Sequence, residues 1–463
     1  MKTDVLVAEI GSTTTVVNAF QGINSPDPVF LGQGQAPTTV LEGDVRTGLN
    51  QAIADLKRHL NTEAFHYSEM LATSSAAGGL KMTVHGLVHD MTVRAAREAA
   101  LGAGAILHNV TSGKMRRSDL KKLSEISPNI ILIAGGVDYG EKETAVDNAE
   151  MIASLDLAIP VIYAGNVENQ DEISEIFNNT RYRLYLTENV YPRIDQLNIE
   201  PTRRIIQDVF EEHIVHAPGM EQVRDLVNGP IIPTPGAVMA AAKLLKEYIG
   251  DLLVFDVGGA TTDLHSVTEG SEEINRILLS PEPVAKRTVE GDLGVYVNRD
   301  NIVSLIGEDK LAKELNADIP ALIRSHPPIP ETDETIAFAE RLTKEAVHRA
   351  LSRHVGSVRH LYGPGGKTTV AEGKDLSGIR YVIGTGGALT RLPHGASILS
   401  GILGKQDQNK MLPGEDAQVF LDQDYIMASL GVLSRQYPEA AFRLMKKSMR
   451  WKEVNLSESE NQN

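Results

Sequence analysis

Residues 251–267 read Asp-Leu-Leu-Val-Phe-Asp-Val-Gly-Gly-Ala-Thr-Thr-Asp-Leu-His-Ser-Val, and residues 4–17 carry a looser copy, Asp-Val-Leu-Val-Ala-Glu-Ile-Gly-Ser-Thr-Thr-Thr-Val-Val. Each copy is an apolar strand, an acid, a glycine turn, hydroxyls and a second apolar strand. Two such hairpins, one in each half of the chain, point to a nucleotide clamped between two similar lobes.

The chemistry of each hairpin follows from its residues. Val254 and Phe255 end a buried strand, and Asp256 stands where it emerges. A carboxylate there suits hydrated Mg²⁺, which gives up its waters reluctantly and is bound through them. Gly258 and Gly259 permit a tight turn and clear side chains from the path of phosphate oxygens. The exposed N–H groups of such a turn form an anion nest. Thr261 and Thr262 add hydroxyls, and Asp263 is either a second metal-facing acid or a brace for the turn. In the first hairpin Glu9, Gly11, Ser12, Thr13 and Thr14 take the matching places. A short glycine hairpin alone is weak evidence, and the repetition carries the reading.

Composition narrows the partners. The 463 residues are enough for two or three domains, and the hydrophobic fraction of 42% supports substantial cores. Aromatics are only 5%, so those cores are aliphatic. A net charge of −16 disfavours nucleic acid and anionic membranes as partners. The chain has no cysteine, which excludes disulfides, thiolate metal sites, cysteine-ligated iron–sulfur clusters and cysteine nucleophiles. Neither a signal-peptide pattern nor an apolar run of membrane-spanning length is present, so the expectation is a soluble cytoplasmic protein.

Strands are expected over 4–20 and 28–35, and a helix over 45–60. Residues 70–72 lead into the small-residue stretch 73–79; a strand at 80–88 and an Ala-rich helix at 91–103 follow. Between about 129 and 187 strands alternate with helices, which implies parallel sheet. Glycines at 135–136 and 165 end two of these strands, and tight strand-to-helix turns explain them at least as well as a ligand does. Residues 235–248 form a helix started by proline, filled with alanine and stopped by Gly250. Helices are also expected through 301–330 and 333–359. Tyr381-Val-Ile-Gly-Thr-Gly-Gly-Ala-Leu is a strand, a glycine turn and a helix start. The end, from about Arg450, is charged and polar.

Two motifs are decoys. Gly363-Pro-Gly-Gly-Lys-Thr-Thr369 suggests a P-loop, but Leu361 stands where the first glycine belongs, so a flexible loop is expected. His85 and His89 have helical zinc-ligand spacing, but their neighbours favour strand, which would hold them about 13 Å apart and unable to share a metal.

Glycine turns at 9–14, 256–263 and 384–390 now stand in order. Together they resemble the actin/Hsp70/sugar-kinase ATPase superfamily over nearly the whole chain. The runs Ser74-Ser-Ala-Ala-Gly-Gly-Leu80, Ile133-Ala-Gly-Gly-Val-Asp138, Ala164-Gly-Asn166, Asp256-Val-Gly-Gly-Ala-Thr-Thr-Asp263, Thr288-Val-Glu-Gly-Asp-Leu-Gly294 and Gly384-Thr-Gly-Gly-Ala-Leu389 resemble the narrower MutL/GlmL family of mutase accessory proteins. (That MutL is not the mismatch-repair protein of the same name.)

The resemblance implies an α/β fold: a two-lobed actin-like ATPase with ribonuclease H-like lobes and an α/β region inserted in the first. The first lobe would span 1–245 with the insertion at about 70–210, and the second 246–424. A returning connecting helix would occupy 425–448, and a polar tail 449–463. The resemblance also implies ATP and Mg²⁺ as cofactors and the subunits of an adenosylcobalamin-dependent mutase, such as glutamate (methylaspartate) mutase, as partners. The role implied is that of a reactivase or chaperone, with oligomerisation open. Gly384, Gly386 and Gly387 would pack on adenosine. Glu9 and Asp256 would hold Mg²⁺ through water, with Asp263 as a third candidate for the chemistry. The first hairpin of that superfamily begins with aspartate, and Glu9 moves its carboxylate by about 1.5 Å. Lysine is also absent just after Thr15, where several members of the superfamily carry it, and the two departures together lead to an expectation of slow or weak hydrolysis.

Other functions compete. A small-molecule kinase or a hydantoinase-like ATP-dependent hydrolase shares the second turn, although no catalytic aspartate for a substrate pocket stands out. The iron–sulfur activator of 2-hydroxyacyl-CoA dehydratases shares the first turn but needs the cysteines this chain lacks. A non-hydrolysing nucleotide-sensing scaffold is compatible with Glu9. The inserted region exceeds what a minimal clamp requires, which makes it a candidate partner-docking element; it could equally be part of the first lobe's core.

Overall fold

The structure, a computed structural model, describes residues 2–11, 14–39, 43–63, 65–75, 80–215, 220, 222–363, 366–404, 407 and 409–451. The chain opens with strands β1 (Lys2–Ile10), β2 (Thr14–Gln21), β3 (Val29–Pro37) and β4 (His66–Ser74). A second group follows: β5 (Lys81–Gly86), β6 (Ile106–Ser112), β7 (Ile130–Ile133), β8 (Pro160–Tyr163) and β9 (Arg183–Leu186). After β10 (Ile232–Pro233) and the helix Thr234–Ile249 come β11 (Leu252–Val257), β12 (Thr262–Val267) and β13 (Ala285–Glu290). The hairpin β14 (Ser357–Gly363) and β15 (Gly366–Glu372) precedes β16 (Tyr381–Thr385) and β17 (Gln418–Leu421).

The first sheet runs β3-β2-β1-β4-β10 and the second β13-β12-β11-β16-β17. In both, three strands form an antiparallel meander and two more join in parallel. The chain thus repeats one five-stranded lobe twice, which is the two-lobed actin-like architecture. The third sheet, β6-β5-β7-β8-β9, is parallel throughout.

Two helices fill the space between the lobes. Thr234–Ile249 starts with a proline in its first turn and stops at Gly250, whose φ of 92° few other residues adopt. Met427–Leu433 is buried along its whole length. Both share one apolar cluster with Val5 and Val7 of the first sheet and Leu252 and Val254 of the second. They approach backbone to backbone: a Cβ on Gly431 would lie 1.8 Å from the Ala237 carbonyl oxygen. The parallel sheet turns Met82, Val84 and Leu132 toward a cluster shared with the first lobe, and Ile131, Ile133 and Tyr163 toward a cluster of its own. The inserted region is therefore both part of the first lobe's core and a layer beyond it.

Several local expectations change. Residues 363–369 are not a loop: strands β14 and β15 flank positions 364–365, which lie outside the described residues. His85 is buried in β5 between Thr111 and Thr83, but the strand ends at Gly86, and His89 is exposed in a π-helical turn beside Asp90. The two histidines do not share a strand face. Residues 425–448 are two helices, Met427–Leu433 and Pro438–Ser448, because proline at the second start cannot continue the first. Strand β6 and the helices Arg117–Ile126 and Glu200–Val215 add to the expected elements.

Replacing Gly431 by valine should force the connecting helices apart. The expected cost is about 1–3 kcal/mol, as for overpacked cores, read as a lower melting temperature, with nucleotide affinity falling alongside it.

Candidate functional site

Strand alternation places the two acids. On β1, Val5 and Val7 face the inter-lobe cluster, and Glu9 continues that row. On β11, Leu252 and Val254 do the same, and Asp256 continues them. Both carboxylates therefore emerge from facing sheets toward the same space. Each strand then enters a glycine turn closed in the same way, by Gly11 N–H to the Thr14 carbonyl at 3.0 Å and by Gly258 N–H to the Thr261 carbonyl at 2.9 Å. Thr14 is exposed beside its turn, whereas Ser12 and Thr13 lie outside the described residues.

The second turn is backed by the segment after β13. Gly258 and Gly259 carbonyls accept from the backbone N–H groups of Val295 and Tyr296 at 3.2 and 2.9 Å. Gly294 makes this approach possible, since a Cβ there would stand 2.2 Å from Ala260 backbone atoms. Gly259 is exposed and Thr261 half-buried, so this turn presents backbone to the cleft. Thr262 is turned away: it is buried and its hydroxyl donates to the Leu293 carbonyl at 2.8 Å.

The third turn divides its glycines among different tasks. Gly384 lies in the core, where a Cβ would meet Leu399 and Leu421. Gly386, at φ 84°, lets the turn lie against β11; a Cβ there would be 2.7 Å from the Asp256 carboxylate. Gly387 faces open space at the start of a short helix. Gly386 and Gly387 thus border the cleft and Gly384 supports them.

The three acids differ in environment. Asp256 keeps a partial opening to solvent, yet burial between the lobes, then Asp263 and Glu9, push its pKa up to about 7. Glu9 is also raised to about 7, mainly by burial. One Glu9 oxygen is already engaged, accepting from the Ser429 hydroxyl at 2.5 Å, the Ser429 N–H at 3.0 Å and Asn18 at 3.2 Å. Asp263 is only 5% exposed and is held by Arg287, with contacts at 2.6 and 3.0 Å, and by the Thr261 hydroxyl at 3.0 Å. It braces the turn, the alternative its position in the sequence left open.

Arg287 also reaches out of its lobe. Its remaining nitrogen donates to the Leu101 carbonyl at 3.1 Å, near the end of the helix Arg94–Gly102 that follows β5. Nearby, Arg203 donates to the carbonyls of Glu98 and Ala285, and Arg94 and Lys374 pair with Glu282 and Glu98. The second glycine turn is thereby wired to the inserted unit through buried charge.

Sequence reasoning missed Asp422, Tyr425, Arg287 and Asn18. Asp422 had a signal: Gln418-Val-Phe-Leu-Asp422 is another apolar strand ending in an acid. It is buried, bonded to Thr385, Ser448 and the Met427 N–H, and its pKa is raised by burial. Arg391 closes another edge of the cleft by contacting Gln33 and Gln35 of the first lobe.

Among the described residues no cluster of three or more His, Asp or Glu has metal-binding geometry. The donor set still fits one kind of ion. Asp256 lies among other acids, and the nearby Arg287 is committed to Asp263. Such a carboxylate suits a hydrated divalent cation held through water. Glu9, with one oxygen tied to Ser429, is the weaker of the two candidate ligands.

A family profile described as MutL protein matches residues 5–449. Protein MutL of Clostridium tetanomorphum is 38% identical over 458 residues, covering 96% of this chain and 98% of that one. Among solved structures, nucleotide-free acetone carboxylase is 12% identical with a TM-score of 0.43, covering 93% of this chain and 70% of its own. Diol dehydratase-reactivating factor in nucleotide-free form is 11% identical with a TM-score of 0.39, covering 94% and 100% respectively.

Two measurements probe the site. Glu9 and Asp256, with ordinary values of 4.5 and 3.8, both titrate near 7 when folded. Between about pH 4 and 7 the folded chain holds more protons than the unfolded one, so stability falls as pH rises through that window. In urea titrations without Mg²⁺ or nucleotide, Asp256→Asn should make this fall shallower and leave the protein more stable at pH 8. Arg287→Met strands the buried Asp263 carboxylate, and a loss of about 3–5 kcal/mol is expected. In Arg287→Met/Asp263→Asn most of that loss should return.

Proposed function

The chain belongs to the MutL protein family, and on that premise we propose that it is an ATP-binding accessory protein of an adenosylcobalamin-dependent mutase. It would act as a reactivase or chaperone for such a mutase, glutamate (methylaspartate) mutase being the example that the family resemblance supplies. The observation that carries this reading is the arrangement of two equivalent glycine turns on facing lobes, one of them wired to the inserted unit. A metabolic kinase needs the first feature but not the second.

In this reading ATP bridges the lobes. Gly11 and Thr14 would meet its phosphates from one side, with Ser12 and Thr13 completing that turn. Gly258, Gly259 and Thr261 would meet them from the other, and Gly386 and Gly387 would border the adenosine. Asp256 would hold Mg²⁺ through water, Glu9 assisting with its free oxygen. The bound ion would supply neutralising charge at the phosphates. Phosphoryl chemistry of this kind rests on positioning and electrostatics more than on a dedicated base. Lobe closure around ATP would shift the second turn, and with it Asp263, Arg287 and the helix Arg94–Gly102. Hydrolysis would release that strain on the inserted unit and let the client exchange damaged coenzyme.

The engagement of Glu9 with Ser429 favours one second reading, a nucleotide sensor that binds ATP without turning it over. Steady-state ATPase assays separate the two: turnover indistinguishable from that of Asp256→Ala identifies the sensor. For the reactivase, inactivated mutase is incubated with fresh adenosylcobalamin, Mg-ATP and the chain. Mutase activity should return, and Asp256→Ala should slow the recovery by about 100-fold, the scale of losing a charge-stabilising group. Failure of recovery under every nucleotide condition overturns the proposal.

A further inference from the structure

The parallel sheet β6-β5-β7-β8-β9 ends in loops that lie together at one edge, because parallel strands share their carboxyl ends. The loops after β7, β8 and β9 carry Tyr139, Val167 and Ile194, and Leu186 ends β9; all four are apolar or aromatic and exposed. Tyr139 is 79% and Ile194 71% exposed. Scattered apolar residues on a surface need no explanation, but a group on one edge does.

This edge is also built to stay in place. Asp138 N–H donates to the Pro192 carbonyl at 3.0 Å, and the Asp138 carboxylate accepts from Val167 N–H at 3.0 Å and from Asn189 at 2.9 Å. Asn166 accepts from the N–H groups of Tyr139 and Glu168, each at 3.1 Å. The loops after β7, β8 and β9 are thereby fastened to one another. Tyr139 is held at φ 63°, a left-handed conformation uncommon for a non-glycine residue. A bulky aromatic fixed in that strained state and turned to solvent gains nothing for the fold, and strain of this kind clusters at binding sites. The polar groups of Asp138, Asn166 and Asn189 are spent on neighbouring loops, so this edge offers shape and apolar surface and few free donors for a small ligand.

The surroundings specify the partner. Over the loops after β7, β8 and β9 and the helix starts that follow them, residues 138–143, 167–172 and 187–195, there are seven exposed carboxylates against two exposed bases; Lys142 is paired with Glu168, and Lys114 after β6, paired with Asp147, borders Glu141 and Glu143. That bias is well beyond the chain's overall 61 acids to 45 bases. Complementary interfaces set opposite charges around an apolar centre.

We propose that this edge is a protein-docking face, with Tyr139 and Ile194 as its anchors, for a client surface that has an apolar recess ringed by lysine and arginine. It rests on the reading that the chain serves a mutase, and it names the face that makes contact. The helix Arg94–Gly102, tied to Arg287, lies in the same inserted unit.

The test measures binding of full-length chain to inactivated glutamate mutase subunits in the presence of a non-hydrolysable ATP analogue. Tyr139→Gly relieves the backbone strain while removing the ring, so its melting temperature should hold or rise. Combined with Ile194→Ser, it should weaken client binding by about 10-fold or more, as for interface anchors, with nucleotide affinity unchanged. Rising salt should weaken the wild-type complex. Amide exchange in that complex should slow at 134–143, 164–169 and 187–198. If the wild type binds and the double variant binds equally, or protection falls elsewhere, the docking face is wrong and the client reading stands. If the wild type binds no mutase subunit, the client reading falls and the docking proposal with it.

Discussion

The crossing of the two connecting helices at Gly431 governs the rest of the molecule. Because Gly431 has no side chain, Met427–Leu433 can lie against the Ala237 backbone. Each helix then presents small residues to its neighbour and apolar ones to the sheets. Val5 and Val7 pack from one side and Leu252 and Val254 from the other. The spacing of the sheets fixes where the next residue in each row, Glu9 or Asp256, emerges. A close helix crossing thus sets the geometry of the two glycine turns.

The lobes are also joined by charge, and this junction is of a different kind. Around Arg94–Gly102, β13 and Glu200–Val215 the contacts are ionic or run from guanidinium to carbonyl, and several atoms stay unpaired. Glu98 Oε2, Arg203 Nε, Glu282 Oε2 and both ring nitrogens of His265 are buried without a partner. Such groups cost free energy that an apolar contact would not. The crossing at Gly431 is apolar and close-packed, whereas the junction near Arg287 is polar and incompletely paired.

Repetition made the fold legible in the sequence. The two hairpins, the proline-started helix before the second and the small residues 428–431 led to two lobes and two connecting helices. Strands β7 and β8 of the insertion were visible because each is a short apolar run ending in glycine, whereas β6 was not expected. The placement of residues was legible where it follows from local order: Asp256 does stand at the end of its strand, and Gly258, Gly259 and Gly386 do lie in turns. The site was not legible where a residue's role depends on what crosses it in space. Asp263 reads equally as a metal-facing acid or a brace for the turn until Arg287, 24 positions on, is seen against it. Thr262 reads as a phosphate donor until the strand pleat turns it inward to Leu293. Gly384 reads as part of a binding turn until Leu399 and Leu421 are found against it. The positions 363–369 were misjudged because a hairpin in which Gly363 pairs with Gly366 looks, in one dimension, like a flexible glycine loop.

Glu9 shows how one methylene redistributes work between equivalent halves. The acids sit at matching places in repeated lobes, so symmetry would give them one task. The longer side chain instead brings the Glu9 carboxylate to the backbone N–H and hydroxyl of Ser429 in the second connecting helix. Asn18, on the neighbouring strand, donates to both Glu9 and Ser429 and holds the pair in register. Glu9 therefore spends much of its hydrogen-bonding capacity fastening the first lobe to the second connecting helix. Asp256 has no such partner and remains the carboxylate available to a hydrated cation. An aspartate at position 9 would be too short by about one bond length to make the same contacts without moving the strand. The difference between the two carboxylates, one tied to the connecting helix and the other without a hydrogen-bond partner from it, follows from side-chain length.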